Sequence, residues 1–140
     1  MSQLSQFVER WLAGELELAP ITKLLGVRPV SLGEGEARIE LTAGKHLHNA
    51  MGTLHGGILC DLADIAMGAA LATVTADGES FTTLQLQMSY LLPVVEGRLC
   101  AHARVIRRGR ATAHLECDLE DGEGRLVARG SSVCAIRQAS

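Results

Sequence analysis

The sequence predicts an α+β chain in which an antiparallel sheet packs on one long apolar helix. The run from Ile58 to Val74 is apolar almost all round, as in a helix buried by its neighbours. Beyond Gly78 the hydrophobic period changes to two and stays there, the mark of strands with one buried face. Short turn-forming clusters separate those strands, so they pair antiparallel.

The elements follow in order. Residues 3 to 13 set Leu4, Phe7, Val8, Trp11 and Leu12 on one helical stripe, with Gln6, Glu9 and Arg10 opposite; this is a packing helix that covers part of the core. Pro20 stands where a short helix can start and Gly26 where it can stop. A strand runs from Val27 to Leu41, broken at the Gly33–Glu36 turn. The long helix is expected over about residues 56–75. Four strands come after it. In the first, Leu84, Leu86, Met88 and Tyr90 alternate with polar residues, and in the third Ala113, Leu115, Cys117 and Leu119 do the same. With short turns at Arg107–Arg110 and Asp121–Gly124, these four strands are expected to form a meander.

The 140 residues form one expected domain, 1–140, large enough to bury its own core. A net charge of −3 gives no bulk electrostatic attraction to nucleic acid. No apolar run reaches membrane-spanning length without charge or glycine, so no membrane partner is expected. The N-terminus lacks the pattern of a secretory signal, which makes a cytoplasmic location the default. Cys60, Cys100, Cys117 and Cys134 form no CxxC pair and read as reduced, mostly buried thiols; no metal and no cofactor are expected.

The long helix raises a chemical question, because it carries Asp61 and Asp64 and opens with His55-Gly56-Gly57. At about 100° per residue, Gly57, Asp61, Asp64, Gly68 and Thr75 fall on one narrow stripe. Glycine inside a helix costs about 1 kcal/mol relative to alanine, so glycines there point to close approach of a backbone or a ligand. The first-turn amides of a helix lack partners and sit at its positive end. Such a terminus suits an oxygen that becomes anionic in a transition state. Gly56 and Asp64, however, lie about 12 Å apart along the axis, too far to act on one small carbonyl. If both serve one substrate, the carboxylate comes from a second copy. Two such helices packed antiparallel about a two-fold axis would give a homodimer with two equivalent sites.

The run Asn49-x5-His55-Gly56-Gly57-x4-Leu62-x-Asp64-x-Ala66 resembles that of the hot-dog-fold acyl-CoA thioesterases, in particular the PaaI-like and 4-hydroxybenzoyl-CoA thioesterase group. The resemblance implies a curved antiparallel sheet wrapped round a long central helix, in dimers that often pair into tetramers. It implies an acyl-CoA substrate, aryl or medium-chain, hydrolysed to free acid and coenzyme A. By position Asp64 resembles the catalytic acid, acting as general base or nucleophile, and the Gly56 N–H resembles the donor that polarises the thioester carbonyl, with Gly57 beside it. His55 and Asn49 resemble the residues that support the carbonyl and the nucleophile. Thr82 falls where related enzymes place a hydroxyl near the acid. Asp61 has no role in the pattern and reads as an exposed or hydrogen-bonded carboxylate.

Coenzyme A carries phosphates that call for cations. Arg107, Arg108 and Arg110 cluster at a strand turn and are candidates, as is Arg137. Two alternatives stay open: an acyl-thioester dehydratase on the same fold, although the Asp-x4-His motif of that type is absent, and a non-catalytic acyl-CoA binding or regulatory protein. Aromatic residues make up only 3% of the chain, which leaves little stacking surface to favour aryl acids, but the acyl group stays open.

Overall fold

The computed structural model describes residues 2–139. Helix α1 (Gln3–Leu12) starts where Ser2 Oγ accepts the Ser5 amide, and it buries Val8 and Trp11. Helix α2 (Pro20–Leu25) has proline in its first turn and ends at Gly26, whose φ of 73° is a left-handed conformation that glycine adopts without strain. The strand expected over Val27–Leu41 is two strands, β1 (Arg28–Gly33) and β2 (Glu36–Ala43), which pair as a hairpin across the break at Gly33–Glu36. On β2 the residues Ala37, Ile39, Leu41 and Ala43 are buried in strict alternation.

Helix α3 (Gly56–Ala72) stops short of the expected Thr75. Thr73 caps it, its hydroxyl donating to the Ala70 carbonyl at 2.7 Å. Thr75 thereby leaves the stripe; it is buried, and its hydroxyl meets Ser2 Oγ at 2.8 Å. Leu59, Leu62, Ala66, Met67, Ala70 and Leu71 are buried in the core, where α3 packs mainly on β2, β4 and β5. The stripe of Gly57, Asp61, Asp64 and Gly68 is the side left exposed or half-buried.

Strands β3 (Glu79–Tyr90), β4 (Gly97–Arg108), β5 (Thr112–Asp121) and β6 (Leu126–Gln138) complete a six-stranded antiparallel sheet in the order β1-β2-β4-β5-β6-β3. Only β4, β5 and β6 form the expected meander. Strand β3 lies at the far edge against β6, and β2 takes the place beside β4. The reason is the connection 91–96, which is no tight turn: Leu91 N and Leu92 N both donate to the Val127 carbonyl, and Leu54 N donates to the Val94 carbonyl. That segment is tied to the loop that precedes α3 and so crosses the end of the sheet. Register shifts at Val30, Leu84, Ile106 and between Leu119 and Glu120 bend the strands, and α3 touches all six. The sheet therefore curls round the helix.

Candidate active site

The loop before α3 is built by Asn49. Its Oδ1 accepts the Met51 and Thr53 amides at 2.9 and 3.2 Å, and its Nδ2 donates to Thr53 Oγ1 at 3.0 Å. His48 Nε2 lies 2.7 Å from the Val95 carbonyl, and the His55 amide donates to the Leu47 carbonyl at 3.0 Å. These bonds fix the point at which α3 begins. Asn49 thus supports the helix start by shaping the loop.

His55 is the N-cap of α3 with extended backbone, and its exposed ring makes no cap bond. The ring instead packs on Gly57, where an added Cβ would sit 3.1 Å from it. Gly56 is held from the other side. A Cβ there would lie 3.1 Å from the Tyr90 ring, and the Tyr90 hydroxyl donates to the Gly56 carbonyl at 3.0 Å. The same hydroxyl lies 3.1 Å from Cys60 Sγ; that contact, with partial burial, pushes the phenol up to about 12 and keeps it a neutral donor. The glycine pair is thus explained within one chain, because two rings occupy the space side chains would need. Among the described residues the Gly56 and Gly57 amides have no hydrogen-bond partner. Gly56 lines a cavity of about 400 Å³ with Asn49, Leu54, Leu59 and Tyr90.

Asp64 lies two turns further along and borders a different cavity, of about 290 Å³. It is half-buried, and its Oδ1 accepts a hydrogen bond from Thr83 Oγ1 at 3.0 Å. The hydroxyl beside the acid therefore belongs to Thr83 and not to Thr82. Thr82 is exposed on the opposite face of β3, because successive strand residues point to opposite sides. Asp61 is exposed; partial burial, then the charge of Asp64, raises its carboxyl above the ordinary range, while His55 acts in the other direction.

The arginine turn lies at the other end of the molecule. Arg108 pairs with the buried carboxylate of Glu79, which also accepts the Ala76 amide at 2.7 Å and Gln138 Nε2 at 2.7 Å. The Arg108 bond, more than any other contact, holds the Glu79 carboxyl below its usual range. Arg108 is therefore committed to closing the sheet beyond the C-terminus of α3, and as a phosphate ligand it is withdrawn. Arg107, Arg110 and Arg137 are exposed and have no partner among the described residues.

A curved antiparallel sheet wrapped round one long central helix defines a hot-dog-fold protein. Residues 51–128 match the family model described as Thioesterase superfamily, and the chain belongs to that family. Human acyl-coenzyme A thioesterase 13 is 26% identical over 133 residues, which cover 93% of this chain and 94% of that protein. A 1,4-dihydroxy-2-naphthoyl-CoA hydrolase from Listeria monocytogenes is 25% identical over 118 residues, 84% of this chain and 96% of the relative. Among solved structures, a mutant of the phenylacetic acid degradation protein PaaI from Thermus thermophilus superposes with a TM-score of 0.77 at 29% identity, covering 84% of this chain and 98% of that one.

Proposed function

We propose that the protein hydrolyses acyl-CoA thioesters at a site shared between two copies of the chain. The observation that carries this reading is the separation of the two half-sites. The open amide of Gly56 borders one cavity, and the Thr83–Asp64 pair borders another. Two α3 helices running antiparallel about a two-fold axis would bring Asp64 of each copy to the Gly56 of the other. The stripe that this chain leaves uncovered on α3, and the unpaired outer edge of β3, are the surfaces such a dimer would cover.

In that site the Gly56 N–H donates to the thioester oxygen and stabilises the negative charge that develops there. Thr83 holds Oδ1 of Asp64 and leaves Oδ2 free. Acting as a base, Asp64 takes a proton from water while the water oxygen bonds to the acyl carbon; the carbon–sulfur bond then breaks, and the proton passes to the sulfur of coenzyme A. Acting as a nucleophile, Asp64 bonds to the acyl carbon as the carbon–sulfur bond breaks and coenzyme A leaves as its thiolate; water then opens the anhydride to the free acid and the Asp64 carboxylate, and its proton goes to the thiolate. In single-turnover hydrolysis in heavy-oxygen water, label appearing in the protein carboxylate rules out simple base catalysis, because only opening of an anhydride at the Asp64 carbonyl puts it there. Arg107, Arg110 and Arg137, exposed and without a partner among the described residues, are the candidate cations for the coenzyme phosphates.

Free-thiol release from acyl-CoAs tests the reading. Asp64→Asn abolishes turnover with acyl-CoA binding retained, and Asp61→Asn leaves turnover nearly unchanged. Gly56→Val is inactive too, since its Cβ would press on the Tyr90 ring. Mixing the two inactive variants under subunit exchange restores about a quarter of the native rate, because half the dimers then hold one intact site of two. Full activity in an isolated monomer, or no recovery on mixing, refutes the shared site. Equal loss in Asp61→Asn and Asp64→Asn refutes the choice of acid.

A further inference from the structure

The cavity that Asp64 borders is roofed by the N-terminal helices. Leu4 and Phe7 of α1 and Ile21 of α2 form one side, Ile65 and Gly68 of α3 the other, and Phe81 of β3 a third. Its polar border consists of Asp64 and Thr83, which bond to each other, and Thr22, whose hydroxyl is engaged with Glu17 and the Ala19 carbonyl. Apart from these three, the described side chains of the lining are hydrocarbon. The segment that supplies the roof precedes the residues that match the family model.

On the reading of Asp64 given above, we infer that this cavity receives the acyl tail, and that α1 and α2 make the protein selective for unsubstituted, aliphatic acyl groups of about eight to ten carbons. An acyl carbon in reach of Asp64 lies within about 3 Å of its oxygen, so the tail leaves from the point where the cavity opens. At about 30 Å³ for each water-sized group of a liquid, 290 Å³ holds roughly eight to ten methylene-sized groups. Among the described residues a hydroxyl on the tail meets polar side chains only at Asp64 and Thr83 and at Thr22, whose proton is already given to Glu17 and the Ala19 carbonyl; buried against the other walls it would go unmatched. Gly68 sets the width. An added Cβ there would stand 3.7 Å from the Phe81 ring, ordinary contact, so a larger side chain fills the cavity without moving the backbone.

The test is kcat/KM over saturated acyl-CoAs from acetyl to tetradecanoyl, with benzoyl-CoA and 4-hydroxybenzoyl-CoA beside them. The native protein gains about fourfold per added methylene and levels off at eight to ten carbons. 4-Hydroxybenzoyl-CoA falls about tenfold or more below octanoyl-CoA. Gly68→Leu moves the plateau about three carbons shorter. Phe7→Ala, at a roof residue that is 40% exposed and so dispensable for the core, moves it longer. A flat native profile, a preference for the hydroxyaryl thioester, or a plateau that neither variant moves overturns the assignment of the cavity while hydrolysis itself stands. Failure to cleave every thioester of the panel overturns the Asp64 reading and the cavity with it.

Discussion

Replacing Thr83 by valine keeps the shape of the side chain and removes only the hydroxyl that bonds Asp64 Oδ1 at 3.0 Å. A hydrogen bond to a charged group contributes about 1.5–3 kcal/mol. At 1.36 kcal/mol per decade, its full loss would slow turnover about 10- to 150-fold. Asp64 is half-buried, so water can replace part of that bond, and the loss belongs toward the lower end, about 10- to 50-fold. The hydroxyl touches the acid, so the loss appears in kcat while KM stays within about twofold. Thr83→Ser keeps the donor and recovers most of the rate. Thr82→Val serves as the control, since its side chain is exposed on the other face of β3. Initial rates of thiol release with one acyl-CoA, measured for all three variants, decide the matter. Half the native rate in Thr83→Val, or a loss in Thr82→Val as large as that in Thr83→Val, refutes the role of the hydroxyl.

Two further outcomes concern stability. The Asp61 carboxyl lies above its ordinary range in the folded chain, chiefly through burial and then through Asp64, so folding favours its protonated form. The stability it contributes is present below its unfolded pKa and is lost as pH rises through the folded value. Asp61→Asn therefore raises Tm at pH 7 and gives no gain near pH 3, which thermal melts at the two pH values read directly. Glu79 has the opposite sign, since Arg108 above all holds its carboxyl below the ordinary range; its contribution is present above the unfolded value and is lost as pH falls through the folded one. Glu79→Ala leaves Arg108 without its partner and costs about 3 kcal/mol in urea unfolding at pH 7, a cost that shrinks as the native protein is acidified.

The contrast between Thr82 and Thr83 also locates what the sequence could and could not disclose. Helix α3 and its stripe were legible because a 3.6-residue period survives packing: Gly57, Asp61, Asp64 and Gly68 share one side of the helix as the wheel requires, and only Thr75 escapes, through the cap at Thr73. The sheet order was not legible. Turn length predicts that consecutive strands pair, but β3 is separated from β4 by a segment tied to Val127 and to Leu54, and no local signal marks those distant partners. The bonds from Asn49 to Met51 and Thr53, and the Tyr90 ring against Gly56, are likewise products of tertiary closure.

Thr83 was hidden by a single inserted residue. In β3 the apolar set Leu84, Leu86, Met88 and Tyr90 reads as one face, and extending its period backward puts Thr82 inward. The register against β6 shifts between Thr83 and Gln85, so Leu84 is left 64% exposed, and before that point the inward set is Phe81 and Thr83. A bulge reverses which residues face the core on one side of it, while the hydrophobic pattern on the other side stays intact. Here that reversal puts a hydroxyl 3.0 Å from Asp64 and turns the neighbouring threonine away. Deleting Leu84 would restore an unbroken period in which Thr83, now two places before Leu86, still faces inward and Thr82 still faces outward. The deletion variant should therefore keep most of the native rate and still lose it on Thr83→Val; transfer of the rate dependence to Thr82 would refute the claim that Leu84 is the inserted residue that breaks the pattern.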